Sequence, residues 1–265
     1  MLSVTNLTLS YGGRVLLQNV SFDLEPGCIM GLVAPNGYGK TTLLKAMANI
    51  KAARVTGAIA VDDLPANQVA RRRARVFYAP GEGTLLYPGM TVGDHLAMTR
   101  KLWRSQRSID DVARACKVDG FLSKRVRACS QGMRQQLTLA IAYMTGARYL
   151  LLDEPMNALD PTNVQLNSAI MRSIAKQGTG IIMSSHILDN VDQLSDKILF
   201  VKDKGLVLFD PSAPTAPAST ASPLSSASAS TAASPAHAAP RAGAHFASGP
   251  ACASKAIDIY NELYL

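Results

Sequence analysis

Ala34-Pro35-Asn36-Gly37-Tyr38-Gly39-Lys40-Thr41, with Thr42 directly behind it, is the stretch on which the reading of this chain turns. A short apolar run, Cys28 to Val33, leads into it. The segment that follows, Lys40 to Asn49, carries Leu43, Leu44 and Met47 at helical spacing. A buried strand, a glycine-containing loop and a helix in that order make a cradle for phosphates. Gly37 and Gly39 let backbone N–H groups turn inward, and the helix N-terminus adds partial positive charge. The Lys40 ammonium can reach β- and γ-phosphates, and the Thr41 hydroxyl can ligate Mg2+. The pattern G-x-x-x-x-G-K-[ST] is met at Gly39, Lys40 and Thr41, while Ala34 stands where its first glycine belongs, the smallest change that position allows. Taken alone, the stretch also suits a glycine-rich turn that merely caps a helix. Asn36 through Thr42 are nonetheless the leading candidates for nucleotide contacts.

The second informative stretch is Tyr149-Leu150-Leu151-Leu152-Asp153-Glu154-Pro155. Four apolar residues ending in two acids describe a buried strand that delivers carboxylates to its C-terminal edge, where ligands bind in open α/β sheets. Asp153 suits a Mg2+ partner, and Glu154 suits a general base that orients and deprotonates an attacking water. One acid after a strand is commonly just solvated. Two of them downstream of a phosphate loop are harder to explain that way.

Outward from these two stretches the chain alternates strands and helices. Val4 to Ser10 alternates in polarity, Gly12-Gly13 makes a turn, and Val15 to Leu24 continues as strand before a turn at Glu25-Pro26-Gly27. Gly57 to Val61 and Val76 to Ala79 read as further strands. From Thr84 to about Met144 the pattern is helical: Thr91 to Trp103 with Val92, Leu96, Met98 and Leu102, then Ile109 to Ala115 and Gln131 to Met144. Strands follow at Tyr149 to Leu152, Ile181 to Met183 and Ile198 to Val201, with a helix over Thr162 to Lys176. That alternation predicts an α/β fold with a mainly parallel sheet covered on both faces.

At Pro211 the composition changes to Ala, Ser, Pro and Thr, which cannot bury enough apolar surface to offset ordering. The expected organisation is a domain over 1–210 with a helical subdomain at about 84–144, a low-complexity disordered insertion over 211–254, and a helix over 255–265. That helix carries Ile257, Tyr260, Leu263 and Tyr264 and is expected to dock back on the domain.

Composition narrows the partners. The chain has 265 residues, 48% of them hydrophobic, enough for a sizeable core. Its formal charge of +8 favours polyanions. Arg71, Arg72, Arg73 and Arg75 cluster before an apolar run and read as a solvated lead-in to a strand. No aromatics interleave with them, so nucleic acid is not an expected partner. The four cysteines, Cys28, Cys116, Cys129 and Cys252, form no CxxC pair, so neither a zinc site nor a disulfide framework is expected. The start of the chain lacks signal-peptide character. No stretch reaches the roughly 18 apolar residues of a membrane span, and Leu137 to Leu152 is broken by Thr145, Gly146 and Arg148.

With both stretches in place, the chain resembles the ATP-binding subunit of an ABC transporter, over essentially Met1 to Asp210. Further motifs stand in that family's order. Cys129-Ser130-Gln131-Gly132-Met133-Arg134-Gln135-Gln136 is similar to the family signature LSGGQ at Ser130 and Gly132. Asn157-Ala158-Leu159-Asp160 resembles the D-loop, Ser184-Ser185-His186 the switch histidine, and Tyr11 falls where the family stacks an aromatic on adenine. The resemblance implies ATP and Mg2+ as ligands. Ser130 and Gly132 would cap the γ-phosphate of ATP held by an opposite subunit, Asp160 would line the dimer interface, and His186 would hold Glu154 and water in line. Read without the resemblance, Ser130 is an N-cap, Asp160 a turn residue, His186 a structural histidine and Tyr11 a strand-edge tyrosine. One position departs: after Tyr78-Ala79-Pro80 the family usually has Gln, and this chain has Gly81 followed by Glu82, whose carboxylate would serve as a metal ligand if the loop shifted by one residue.

The resemblance also implies a P-loop NTPase core, an N-terminal antiparallel β subdomain and a helical subdomain. The expected activity is Mg-dependent ATP hydrolysis powering a separate integral-membrane permease, in an exporter-like pair of ATP-binding subunits at the cytoplasmic side of the membrane. The alternatives are a non-transport ABC-type ATPase and a weakly hydrolysing regulatory subunit.

Overall fold

The structure, a computed structural model, describes residues 1–51, 53–81, 85–157, 159–186, 188–211 and 253–264. Its strands are β1 (Leu2–Tyr11), β2 (Arg14–Leu24), β3 (Ile29–Val33), β4 (Arg54–Val61), β5 (Val76–Ala79), β6 (Tyr149–Asp153), β7 (Gly180–Ser185), β8 (Lys197–Lys202) and β9 (Gly205–Phe209). They form a three-stranded sheet of order β2-β1-β4 and a six-stranded sheet of order β5-β6-β7-β3-β8-β9. The first is antiparallel. The second is parallel from β5 to β8, with β9 running antiparallel at its edge.

The helices are α1 (Lys40–Met47), α2 (Val69–Arg73), α3 (Val92–Trp103), α4 (Ile109–Ala115), α5 (Gln131–Thr145), α6 (Pro161–Lys176), α7 (Leu188–Leu194) and α8 (Ala253–Tyr264). The parallel strands are apolar on both faces because each face meets its own core. Met30, Leu32, Tyr149, Leu151, Ile182 and Leu199 pack with α1 and the antiparallel sheet. Ile29, Val33, Leu150, Leu152, Ile181, Met183 and Ile198 alternate with them into a second core shared with α3 through α8.

Helix starts follow their caps. Thr91 and Asp94 form a reciprocal capping box at α3, Ser130 caps α5, and Asp160 caps α6 with Pro161 in the first turn.

Some sequence expectations are corrected. Leu102 does not belong to the buried stripe of α3: it is 72% exposed, and the inner face is Val92, His95, Leu96 and Thr99. Ile257 likewise faces outward from α8. Arg71, Arg72 and Arg73 lie on α2 rather than on a solvated lead-in. Arg72 donates to the Ile59 carbonyl, Arg73 to that of Asn49 at 3.1 Å, and Arg75 pairs with Asp62. The cluster therefore braces the junction between the two sheets. A helix of five residues with none buried leaves no periodicity to read. Glu82, and residues 212–252 of the expected insertion over 211–254, lie outside the described residues, while 253 and 254 open α8.

Candidate active site

β3, β6 and β7 are neighbours in the parallel sheet, so their C-terminal ends open side by side. A cleft of about 640 Å³ lies there. It brings together Tyr11, Asn36, Gly37, Tyr38, Gly39, Lys40, Thr41, Thr42, Asp153 and Glu154, all singled out in the sequence. Tyr78, Pro80, Gly81 and Asn157, from the motifs quoted above, also line it, as do Arg14, Leu16 and Lys45, which nothing in their sequence context marks.

The phosphate loop is shaped by Gly37 and Gly39, at φ 86° and 93°, where a side chain would be strained. Ala34 is not among the left-handed positions and is buried, which is why alanine serves there. The Lys40 ammonium is buried and donates to the carbonyls of Ala34 at 2.6 Å and Pro35 at 3.4 Å, holding the loop from inside. Its Nζ also stands 3.9 Å from Oε1 of Glu154. Burial pulls the pKa of Lys40 below the usual lysine value, against the opposing pull of the Glu154 and Asp153 carboxylates.

Asp153 is buried and satisfied by hydroxyls. Thr41 Oγ1 donates to Oδ2 at 2.7 Å, Tyr78 to the same oxygen at 3.1 Å, and Ser184 to Oδ1 at 2.6 Å. The Ser184 hydroxyl in turn accepts the Glu154 amide at 3.0 Å. Glu154 has φ 50°, a left-handed conformation that costs a non-glycine residue roughly 1 kcal/mol or more. Its carboxylate spans two cations or potential cations, with Oε1 toward Lys40 and Oε2 2.9 Å from Nδ1 of His186.

These residues suit a magnesium ion. Thr41 Oγ1 and Asp153 Oδ2 are hard oxygen donors already within 2.7 Å of each other. Among the described residues, no group of three or more His, Cys, Asp or Glu side chains is placed to cage a metal. A hydroxyl and one carboxylate match an ion that completes its shell with phosphate oxygens and water.

Other candidates sit elsewhere. Ser130 is exposed at the start of α5, its hydroxyl accepting the Met133 amide at 3.2 Å, and Gly132 lies in the first turn. Asp160 accepts the Asn163 amide at 3.0 Å. Neither Ser130, Gly132 nor Asp160 lines the cleft. Two glutamines link these regions. Gln135 donates to the carbonyl of Pro155 at 2.9 Å, and Gln136 to Asn163 at 2.7 Å. The start of α5 is thereby tied to the segment following Glu154.

Gly81 has a steric reason. A Cβ there would stand 2.4 Å from the Asp153 carbonyl oxygen and 3.2 Å from Cβ of Glu154. The strand end bearing the two acids fills the space that a glutamine side chain would leave from.

Comparison with known proteins identifies the family. The family profile described as ABC transporter matches residues 17–157. The chain is 32% identical over 209 residues to the lantibiotic transport ATP-binding protein SrtF of Streptococcus pyogenes, covering 78% of this chain and 90% of that one. A solved structure described as the ATP binding subunit of an ABC transporter superposes with a TM-score of 0.72 at 23% identity, covering 79% of this chain and 90% of the other. A dimeric ATP-binding cassette, solved in a post-hydrolysis state with ADP and Pi, gives 0.69 at 18% identity, covering 79% and 98%. At these identities the structural likeness is one of fold.

Proposed function

The chain belongs to the ABC transporter family as an ATP-binding subunit, and from that premise we propose that it hydrolyses ATP with Mg2+ to drive a separate integral-membrane permease. The observation that carries the proposal is the convergence of Lys40, Thr41, Asp153 and Glu154 in the cleft, with His186 against the Glu154 carboxylate. Lys40 and the N-terminus of α1 receive the phosphates, and Tyr11, 65% exposed at the end of β1, offers a ring for the base. Thr41 and Asp153 would hold Mg2+, which supplies charge neutralisation at the phosphates.

Glu154 takes a proton from water as the water oxygen bonds to the γ-phosphorus and the bond to the bridging oxygen breaks. His186 holds that carboxylate in place. Its ring is 2.9 Å from Glu154, so it restrains the residue whose backbone is already strained.

Ser130, Gly132 and Asp160 act in this reading on the nucleotide and interface of a second ATP-binding subunit. Their position outside the chain's own cleft supports it, and so does the dimeric cassette among its fold neighbours. Among the described residues no helix is long and apolar enough to cross a membrane. In this reading a separate membrane-spanning partner supplies the path, with this subunit on its cytoplasmic side. Likeness to a lantibiotic transport protein supports export of a peptide antibiotic or related cargo. Glu82 is proposed as a carboxylate substitute for the glutamine missing at Gly81.

The test is titration of Lys40→Ala with Mg-ATP beside the parent chain, together with purification from membranes and identification of the bound integral protein. Loss of nucleotide binding in the variant is expected. Equal affinity in the two proteins removes the cleft assignment.

A further inference from the structure

The C-terminal helix reaches the phosphate loop. Ala256, Ile259, Tyr260, Leu263 and Tyr264 recur at helical spacing; Ala256 is fully buried, and the others pack on the core beside it. At the end of α8 the Tyr264 hydroxyl donates to the Val201 carbonyl and lies 3.3 Å from that of Val33. The Tyr264 ring meets Tyr38 edge-on at 6.1 Å and 85°, with Tyr260 behind it at 4.8 Å.

Those contacts fall where the sheet divides. The pairing of β3 with β8 ends at Val33↔Phe200, after which the chain leaves the sheet to form the loop. Val33 is the root of that loop and Val201 is the next residue along β8, so one phenol bridges the split. The Tyr264 phenol is protonated at ordinary pH and so donates, and burial pushes its pKa further upward. Tyr38 itself sits between Gly37 and Gly39, at the most permissive backbone positions of the loop. Holding the loop in its binding shape beforehand removes part of the ordering cost that a ligand would otherwise meet.

We infer that Tyr264 is a positioning residue for nucleotide binding: α8 pins Tyr38 and the root of the phosphate loop, so the chain's own C-terminal segment sets nucleotide affinity without touching the nucleotide. This rests on the reading of the cleft as the ATP site.

The experiment uses the full chain and Mg-ADP, which is not consumed, titrated by calorimetry, with KM and kcat for ATP measured alongside. Tyr264→Phe removes only the hydroxyl and should weaken Mg-ADP about threefold, the scale of one neutral hydrogen bond. Tyr264→Ala also removes the ring contact and should weaken it about tenfold. KM should rise by the same factors while kcat stays within about twofold, because no group that touches the reacting atoms has changed. Tyr38→Ala combined with Tyr264→Ala should weaken binding by less than the product of the two single effects, since the Tyr38–Tyr264 contact is lost in both. If Tyr264→Ala fails to fold, Tyr264→Phe and its KM-against-kcat split decide the matter. Parent-like Mg-ADP affinity in Tyr264→Phe, or effects that multiply in the double variant, overturns the inference. Lys40→Ala is the control. If it loses Mg-ADP while the Tyr264 variants bind normally, only the positioning role falls; if it binds normally, the site assignment falls with it.

Discussion

The Asp153 carbonyl oxygen occupies the space directly beside Gly81, 2.4 Å from where a Cβ would be. The neighbour is backbone of a central strand and cannot swing aside as a side chain would. Gly81→Ala should therefore displace the end of β6 and cost about 1–3 kcal/mol, as overpacking does. Gly81→Gln, the residue usual in the family, should fare no better. We expect both to lower the melting temperature by several degrees and to reduce turnover, because Asp153 and Glu154 ride on the displaced segment. A thermal melt and an ATPase assay check this, and a Gly81→Gln variant as stable and active as the parent would refute the steric account.

Glu154→Gln should retain Mg-ATP binding and lose about 10²-fold or more in turnover, the scale of removing a positioned base. The variant keeps the shape and the left-handed backbone of the residue, so its stability should change little. His186→Ala should lower turnover in the same direction by releasing the carboxylate it holds at 2.9 Å. Single-turnover kinetics separate binding from hydrolysis, and a Glu154→Gln protein working at the parent rate would remove it from the base role.

Ser184 joins the two acids through one hydroxyl, donating to Asp153 and accepting from the Glu154 amide. Ser184→Ala leaves that amide and one carboxylate oxygen short of a partner in a buried site, a loss of about 1–3 kcal/mol. The expected signature is a lower melting temperature together with a higher Mg2+ requirement for ATPase activity. A magnesium titration that superposes on the parent's would show that Ser184 does not orient Asp153.

Asp62 collects the chain's N-terminal ammonium at 2.8 Å, Arg148 at 3.2 Å, the Tyr149 hydroxyl at 2.6 Å and Arg75. Burial raises its pKa, but the hydrogen bonds from the N-terminus, Tyr149 and Arg75 outweigh burial and hold the carboxyl well below the usual range. A depressed folded pKa gives stability that is complete above the unfolded value, about 3.9, and is lost as pH falls toward the folded one. Asp62→Asn tolerates the φ of 50° and removes only the charge. It should cost about 2 kcal/mol at neutral pH, as hydrogen bonds to a charged group do. Denaturant unfolding should show that difference constant from neutral pH down to about pH 5 and shrinking below about pH 4. A difference that grows on acidification would contradict the assignment.

The sequence alone determined the phosphate loop, the paired acids and the strand–helix alternation, because each is written in contiguous residues. A loop's glycines, its lysine and the helix behind it are neighbours in the chain, and apolar runs such as Tyr149 to Leu152 report burial on both faces without reference to anything distant. Tertiary structure decided everything that depends on strands brought together by crossovers. Tyr78 reaches Asp153 only because β5 lies beside β6, and Ser184 reaches both acids only because β7 lies on the other side. Ala34 is acceptable because its φ is ordinary, and Gly81 is required because a backbone 72 residues on fills the space beside it, neither of which a residue type can state. Tyr264 stands at the far end of a low-complexity stretch, and its bond to the root of the phosphate loop spans 231 positions of sequence. Hydrophobic periodicity marks which side of a helix is buried. It carries no information about what that side is buried against, and only the packed fold supplies it.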